Sequence, residues 1–196
     1  MTLYSTEPGE VDSVVLASAF LASIGVDVTS PDMERTPLRF TAALRELTAG
    51  LRDPVDAGQL LGRTFAPPPG VPVMIFLKKV PFRSVCEHHL LPFTGHATVA
   101  YLPAEGARVA GISKLARLVD GYAAAPQMQE RLGQQVVDAL AKHLDIQGAG
   151  CLIEAVHTCL TLRGPCAEGA TMLTSHLTGK FFDGQVRAEF LALAAG

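Results

Sequence analysis

Cysteine, glutamate and two histidines stand in an unbroken run at Cys86-Glu87-His88-His89, in a segment bounded by Pro81 and Pro92 that reads as irregular chain. A thiolate and an imidazole three residues apart on a turn can hold one metal ion. Cys-x-x-His alone is common without a metal, but His157-x-Cys159 later in the chain makes the set more informative. Cys86, His89 and Cys159 would supply three ligands of the kinds zinc favours and leave a fourth position for water, as in catalytic zinc sites. His88 and His157 remain as acid or base candidates, since an imidazole titrates near working pH.

A second constellation is Gly111-Ile112-Ser113-Lys114-Leu115-Ala116-Arg117. Ser113 reads as a helix N-cap beside free N–H groups, with Lys114 next to it and Arg117 three residues on, which suits a phosphate. The same residues also suit an ordinary capped helix with two solvated cations. Arg163, expected on the strand that carries His157 and Cys159, adds a third cation and favours a polyphosphate ligand. Gln129-Glu130 falls in the first turn of a helix after Pro126, where a glutamate complements the helix dipole. Facing the metal, that carboxylate could accept two parallel hydrogen bonds from a guanine; spacing alone leaves both readings open.

Helical spacing at Val11, Val14, Ala17, Leu21 and Ile24 predicts a first helix ending at Gly25, and Thr36-Pro37 opens a second with Phe40, Ala43, Leu44 and Leu47 on one face. Breakers accumulate up to Ala66-Pro67-Pro68-Pro69-Gly70. The expected boundary lies there: residues 1–70 form a helical arm and linker, and 71–196 the main domain. Val71 to Val80 and Gly95 to Tyr101 read as strands. Two helices follow, the second striped by Met128, Leu132, Val136, Leu140 and Leu144. Cys151 to Arg163 reads as one strand, with period two placing Cys151, Ile153, Ala155, His157, Cys159, Thr161 and Arg163 on one face. A last strand within Ala170 to Phe182 and a short helix over Gln185 to Ala194 complete an α+β chain with an antiparallel sheet.

With 196 residues, 48% hydrophobic and 18% charged, the chain can bury a core without disulfides, so its four cysteines need another explanation. A net charge of −3 and a pI near 6.0 supply no global field for nucleic acid or anionic membrane, and neither is an expected partner. The first residues lack a signal-peptide pattern and no apolar stretch is long enough to span a bilayer, so a cytoplasmic location is expected. Thiols stay reduced there; Cys151 and Cys166 read as ordinary thiols.

Taken together, Thr36-Pro37-Leu38-Arg39, Ser84-Val85-Cys86-Glu87-His88-His89-Leu90, Gly95-His96-Ala97-Thr98-Val99-Ala100-Tyr101, Gly111 to Arg117, Pro126-Gln127-Met128-Gln129-Glu130-Arg131-Leu132, His157-Thr158-Cys159 and Arg163-Gly164 resemble GTP cyclohydrolase I in order and spacing over about residues 30 to 195. The resemblance implies a zinc enzyme that opens the guanine ring of GTP at C8, releases formate and recloses it as 7,8-dihydroneopterin triphosphate, a first step toward tetrahydrofolate and other pterins. It implies zinc on Cys86, His89 and Cys159. His157 would protonate N7, and His88 would assist ribose opening. Ser113, Lys114, Arg117 and Arg163 would contact triphosphate and ribose, Glu130 would read the guanine with Gln129 beside it, and Arg39 would reach a phosphate from an adjacent subunit.

The implied fold is a T-fold, a ββααββ unit, assembled as a homodecamer with sites between subunits. Pro165-Cys166-Ala167-Glu168 departs from the family pattern near the expected phosphate end. Two other readings compete: a non-catalytic zinc-stabilised paralogue, or a T-fold enzyme acting on a related purine or pterin. Retention of His88, His157, Glu130, Arg117 and Arg163 together argues against a bare scaffold.

Overall fold

The computed structural model describes residues 12–67 and 73–195. Val11 of the first apolar stripe, residues 68–70 of the expected linker and the Val71 start of the first expected strand lie outside them. The chain divides into two compact units, Met1–Leu47 and Thr48–Gly196. In the first, Asp12 caps helix α1 (Ser13–Ser23) by accepting from the Val14 N–H at 2.7 Å, and α1 packs on α2 (Thr36–Leu47), with Phe20 stacked against Phe40.

The division falls well before the proline-rich run. Residues 48–65 belong with the second unit because they carry apolar groups into its core: Ala57 and Leu61, four apart on α3 (Ala57–Leu61), are both buried there. β1 (Thr64–Phe65) pairs with β4 (Val109–Ala110), and Gly50 N–H donates to the Ala124 carbonyl at 2.7 Å.

Among the described residues the main sheet has five strands in the order β5-β2-β3-β6-β7. β2 (Ile75–Cys86), β3 (Pro92–Pro103), β6 (Ile146–His157) and β7 (Met172–Gly179) run antiparallel to their neighbours, while β5 (Pro126–Gln127) pairs in parallel with the last two residues of β2. Alternation decides the faces. Phe93, Ala97, Val99 and Tyr101 of β3 and Ala149, Cys151, Ile153 and Ala155 of β6 enter the main core under α4 (Ile112–Ala123) and α5 (Gln129–His143). Leu115, Leu118, Val119, Leu132, Val136 and Leu140 fill it from the helices.

On the opposite face Ala100, Leu102, Leu152 and Leu177 meet Phe181 and, from α7 (Gly184–Ala195), Phe190. Gly150 is needed on that face because a Cβ would stand 2.7 Å from the Phe181 ring.

Three local expectations change. Residues 81 to 86 are strand rather than irregular chain: Pro81 is in register with His96 of β3, and β5 covers β2 only at Val85 and Cys86, so among the described residues one side of β2 at Pro81 has no partner strand. β6 ends at His157 and the chain turns into α6 (Thr158–Thr161), so Cys159, Thr161 and Arg163 do not share the strand face. Ser113 lies inside α4, whose N-cap is Gly111. Among the described residues no helix is long and apolar enough to cross a membrane.

Candidate functional site

The β2–β3 hairpin closes tightly around Cys86. Its N–H donates to the Leu91 carbonyl at 2.8 Å, and its own carbonyl accepts from Leu90 at 2.8 Å, with Leu90 in the left-handed region at φ 53°. The turn folds His88 and His89 back over the Cys86 sulfur. His89 Nδ1 lies 3.7 Å and His88 Nδ1 3.8 Å from Sγ. From the other side, α6 brings Cys159 in immediately after β6, and the Thr158 hydroxyl donates to the Pro92 carbonyl at 2.6 Å, fixing α6 to the same hairpin.

Donor atoms of Cys86, His89 and Cys159 lie within 4.8 Å of one another. Burial pushes the Cys159 thiol up, the neighbouring Cys86 adds to that, and the Arg163 guanidinium works against it. Two facing sulfurs resist losing both protons unless a cation joins them, and two sulfurs with an imidazole are the donor set zinc takes. The residues therefore fit zinc. Arg163, in the loop after α6, places Nη1 3.2 Å from His89 Nε2.

His157, the last residue of β6, lies flat on Phe93, ring centroids 4.3 Å apart and planes 7° from parallel. Burial lowers its pKa, and the Glu130 charge partly offsets this. Glu130 thus lies within electrostatic reach of His157, in the first turn of α5. Gln129, expected beside a substrate, is instead fully buried behind His157, with its side-chain oxygen 2.9 Å from the ring Nε2.

Glu87 and Arg131 escape any spacing rule, being 44 residues apart, yet they pair through both carboxylate oxygens, one contact at 2.9 Å. Arg131 holds the Glu87 carboxyl below its ordinary range. A histidine on β7, His176, packs against Gly133 of α5. Its nearness could have been read from neither sequence position, because it depends on the packing of α5 over the sheet.

The remaining predicted residues lie elsewhere. Lys114 and Arg117 line an open cleft of about 710 Å³ with Arg63, Asp53, Asp56 and Gln59, none of which belongs to the sulfur cluster. Ser113 is exposed beside them on α4, and Arg39 lies on α2 in the first unit.

The family model of GTP cyclohydrolase I matches residues 15–195. The chain is 42% identical over 174 residues to the GTP cyclohydrolase 1 of Desulforamulus reducens, covering 88% of this chain and 90% of that protein. It is 40% identical over 177 residues to that of Corynebacterium glutamicum (90% and 88% covered) and 40% over 192 residues to that of a Synechococcus strain (97% and 82% covered). Among solved structures it is similar to an archaeosine synthase QueF-Like in the apo form, with a TM-score of 0.45 and 16% identity, over 56% of this chain and 97% of that one. Matched along nearly its whole length, and with Cys86, Cys159, His88, His89 and His157 gathered at one end of a sheet backed by two helices, the chain belongs to the GTP cyclohydrolase I family and has that family's α+β T-fold.

Proposed function

We propose that this chain is a zinc-dependent GTP cyclohydrolase I. It adds water at C8 of the guanine of GTP, opens the ring, releases formate and recloses the product as 7,8-dihydroneopterin triphosphate. The observation that carries this reading is the convergence of Cys86, His89 and Cys159 beside two further histidines, His88 and His157, in a chain of this family. Zinc held by those three residues would supply a Lewis acid that makes water nucleophilic near neutral pH.

The chain's own residues do the rest. His157, fixed against Phe93, delivers a proton to N7 and so makes C8 more electrophilic. His88, on the exposed side of the turn, exchanges protons with the ribose during its opening. Glu130 accepts from N1–H and the 2-amino group of guanine, a pairing that adenine cannot reproduce. Ser113, Lys114, Arg117, Arg163 and Arg39 hold ribose and triphosphate.

Within one chain Lys114 and Arg117 line a cleft apart from the sulfur cluster. This supports a substrate site completed between copies, in a homo-oligomer that we take to be the family's decamer; we take its place of action to be the cytoplasm. The test is direct. Purified protein given GTP should release formate and a pterin that fluoresces after oxidation, and should contain one zinc per subunit. Zinc-loaded, assembled protein that yields neither product would overturn the reading.

A further inference from the structure

The family resemblance implies Gln129 in the substrate site, and its amide is wholly engaged by the protein. Its Nε2 stands 3.1 Å from the Ile153 carbonyl, 3.0 Å from the Met172 carbonyl and 3.1 Å from the Thr174 hydroxyl. Ile153 and Thr174 face each other across the β6–β7 pair, so the amide bridges one rung of the sheet from the start of α5. Carbonyl oxygens only accept, which fixes the NH2 end of the amide toward the strands. The oxygen end then points the other way, to His157 Nε2 at 2.9 Å.

An amide oxygen has nothing to donate, so the ring nitrogen facing it must carry the hydrogen. Nδ1 of His157 has no hydrogen-bond partner among the described residues. Phe93 fixes the ring plane, and a half-turn about Cβ–Cγ, which keeps that plane, would carry Nε2 away from Gln129 and break the bond.

We propose that Gln129 is a positioning residue that holds His157 as its Nε2–H tautomer in the resting protein and leaves Nδ1 as the lone-pair nitrogen, the one that takes up a proton before passing it to N7. The role assigned to that nitrogen rests on the proposed cyclohydrolase reaction; the tautomer itself does not. The control resembles the way metal-binding and catalytic histidines elsewhere have one nitrogen set by the bond the other makes. Here the setting group is neutral and is itself oriented by two strands.

Protein labelled with 15N in histidine gives ring-nitrogen shifts that separate protonated from lone-pair nitrogen, with His157 assigned by the signals lost in His157→Asn. The expected result is a protonated Nε2 and an unprotonated Nδ1 in the unmodified protein. Gln129→Met, which keeps the side-chain length but cannot accept from Nε2, should lose that signature. With GTP, Gln129→Met should lower kcat by about 100-fold, the scale of one acid or base group, and leave KM within about threefold.

A proton found on Nδ1 in the unmodified protein would overturn the proposal, even if no variant folds. So would a Gln129→Met protein with unaltered shifts and turnover. Absence of GTP turnover in the unmodified protein would count against the reaction, while the shifts would still decide the tautomer.

Discussion

The guanidinium of Arg131, in the first turn of α5, grips the carboxylate of Glu87 with two hydrogen bonds and so fastens the turn bearing His88 and His89 to the helix bearing Gln129 and Glu130. The Glu87 N–H adds a bond to the Gln127 carbonyl at 3.1 Å. Arg131→Ala and Glu87→Ala should each speed zinc loss to a chelator, by about tenfold if the pair behaves as an outer-shell contact to a metal site. The double variant should be no worse than either single one, because both remove the same contact. Additive losses would show that the two side chains act separately.

Metal retention and turnover should separate by residue. Cys159→Ala removes a sulfur of the cluster, and zinc and activity should vanish together. His157→Ala should keep its zinc and lose roughly 10²- to 10⁴-fold in turnover. Full activity in that variant would remove His157 from the chemistry.

Gly133 has no room for a side chain. A Cβ there would run into the His176 ring, standing 2.9 Å from its Nε2. On an exposed helix Gly→Ala gains about 1 kcal/mol, but overpacking a filled site costs about 1–3 kcal/mol, so Gly133→Ala should destabilise the fold. Adding His176→Ala should restore stability measured by urea unfolding. No recovery in the double variant would place the clash elsewhere.

Acid should weaken the metal-free protein in two ranges. Burial holds His176 below its ordinary 6.5, opposed by Glu130 and Asp138, and its Nδ1 lies 3.4 Å from the Gln134 side-chain oxygen on α5. The unfolded chain then binds more protons than the native one, so stability is complete above pH 6.5 and declines as pH falls from there toward the folded pKa. His157 shifts in the same direction. The Arg131 hydrogen bond keeps Glu87 below its ordinary 4.5, so that pair contributes fully above pH 4.5 and is lost as pH drops through the folded value. The thermal midpoint should fall on acidification below pH 6.5, and less steeply in His176→Gln; equal slopes would exclude His176 as a source.

Period two through Cys151, Ile153 and Ala155 is enough to point His157 toward the helices, because the strand is regular to its last residue. The same arithmetic carried on to Cys159 and Arg163 fails, since nothing in the alternation marks where hydrogen bonding to β3 and β7 stops. Cys159 reaches Cys86 and His89 on a helical turn instead. Pro81 misleads in the opposite sense: whether a proline breaks a strand depends on whether a neighbour needs its N–H, and that depends on how short β5 is.

Helix α5 follows its stripe closely, and Leu132, Val136 and Leu140 are fully buried as the spacing requires. What spacing does not contain is the view across the core. Glu87 with Arg131 and Gln129 with His157 are contacts between elements, and they exist only once α5 lies on the sheet.

The unequal shelter of the four thiols makes them a counter for the metal. Cys151 is fully buried, its thiol pushed up to about 12, so a thiol reagent does not see it in the folded protein. Cys166 stands exposed and is titrated in every state. Cys159, only partly buried, becomes open to the reagent when nothing binds its sulfur, while Cys86 stays buried, so one reactive thiol per folded chain signifies a filled site and two an empty one.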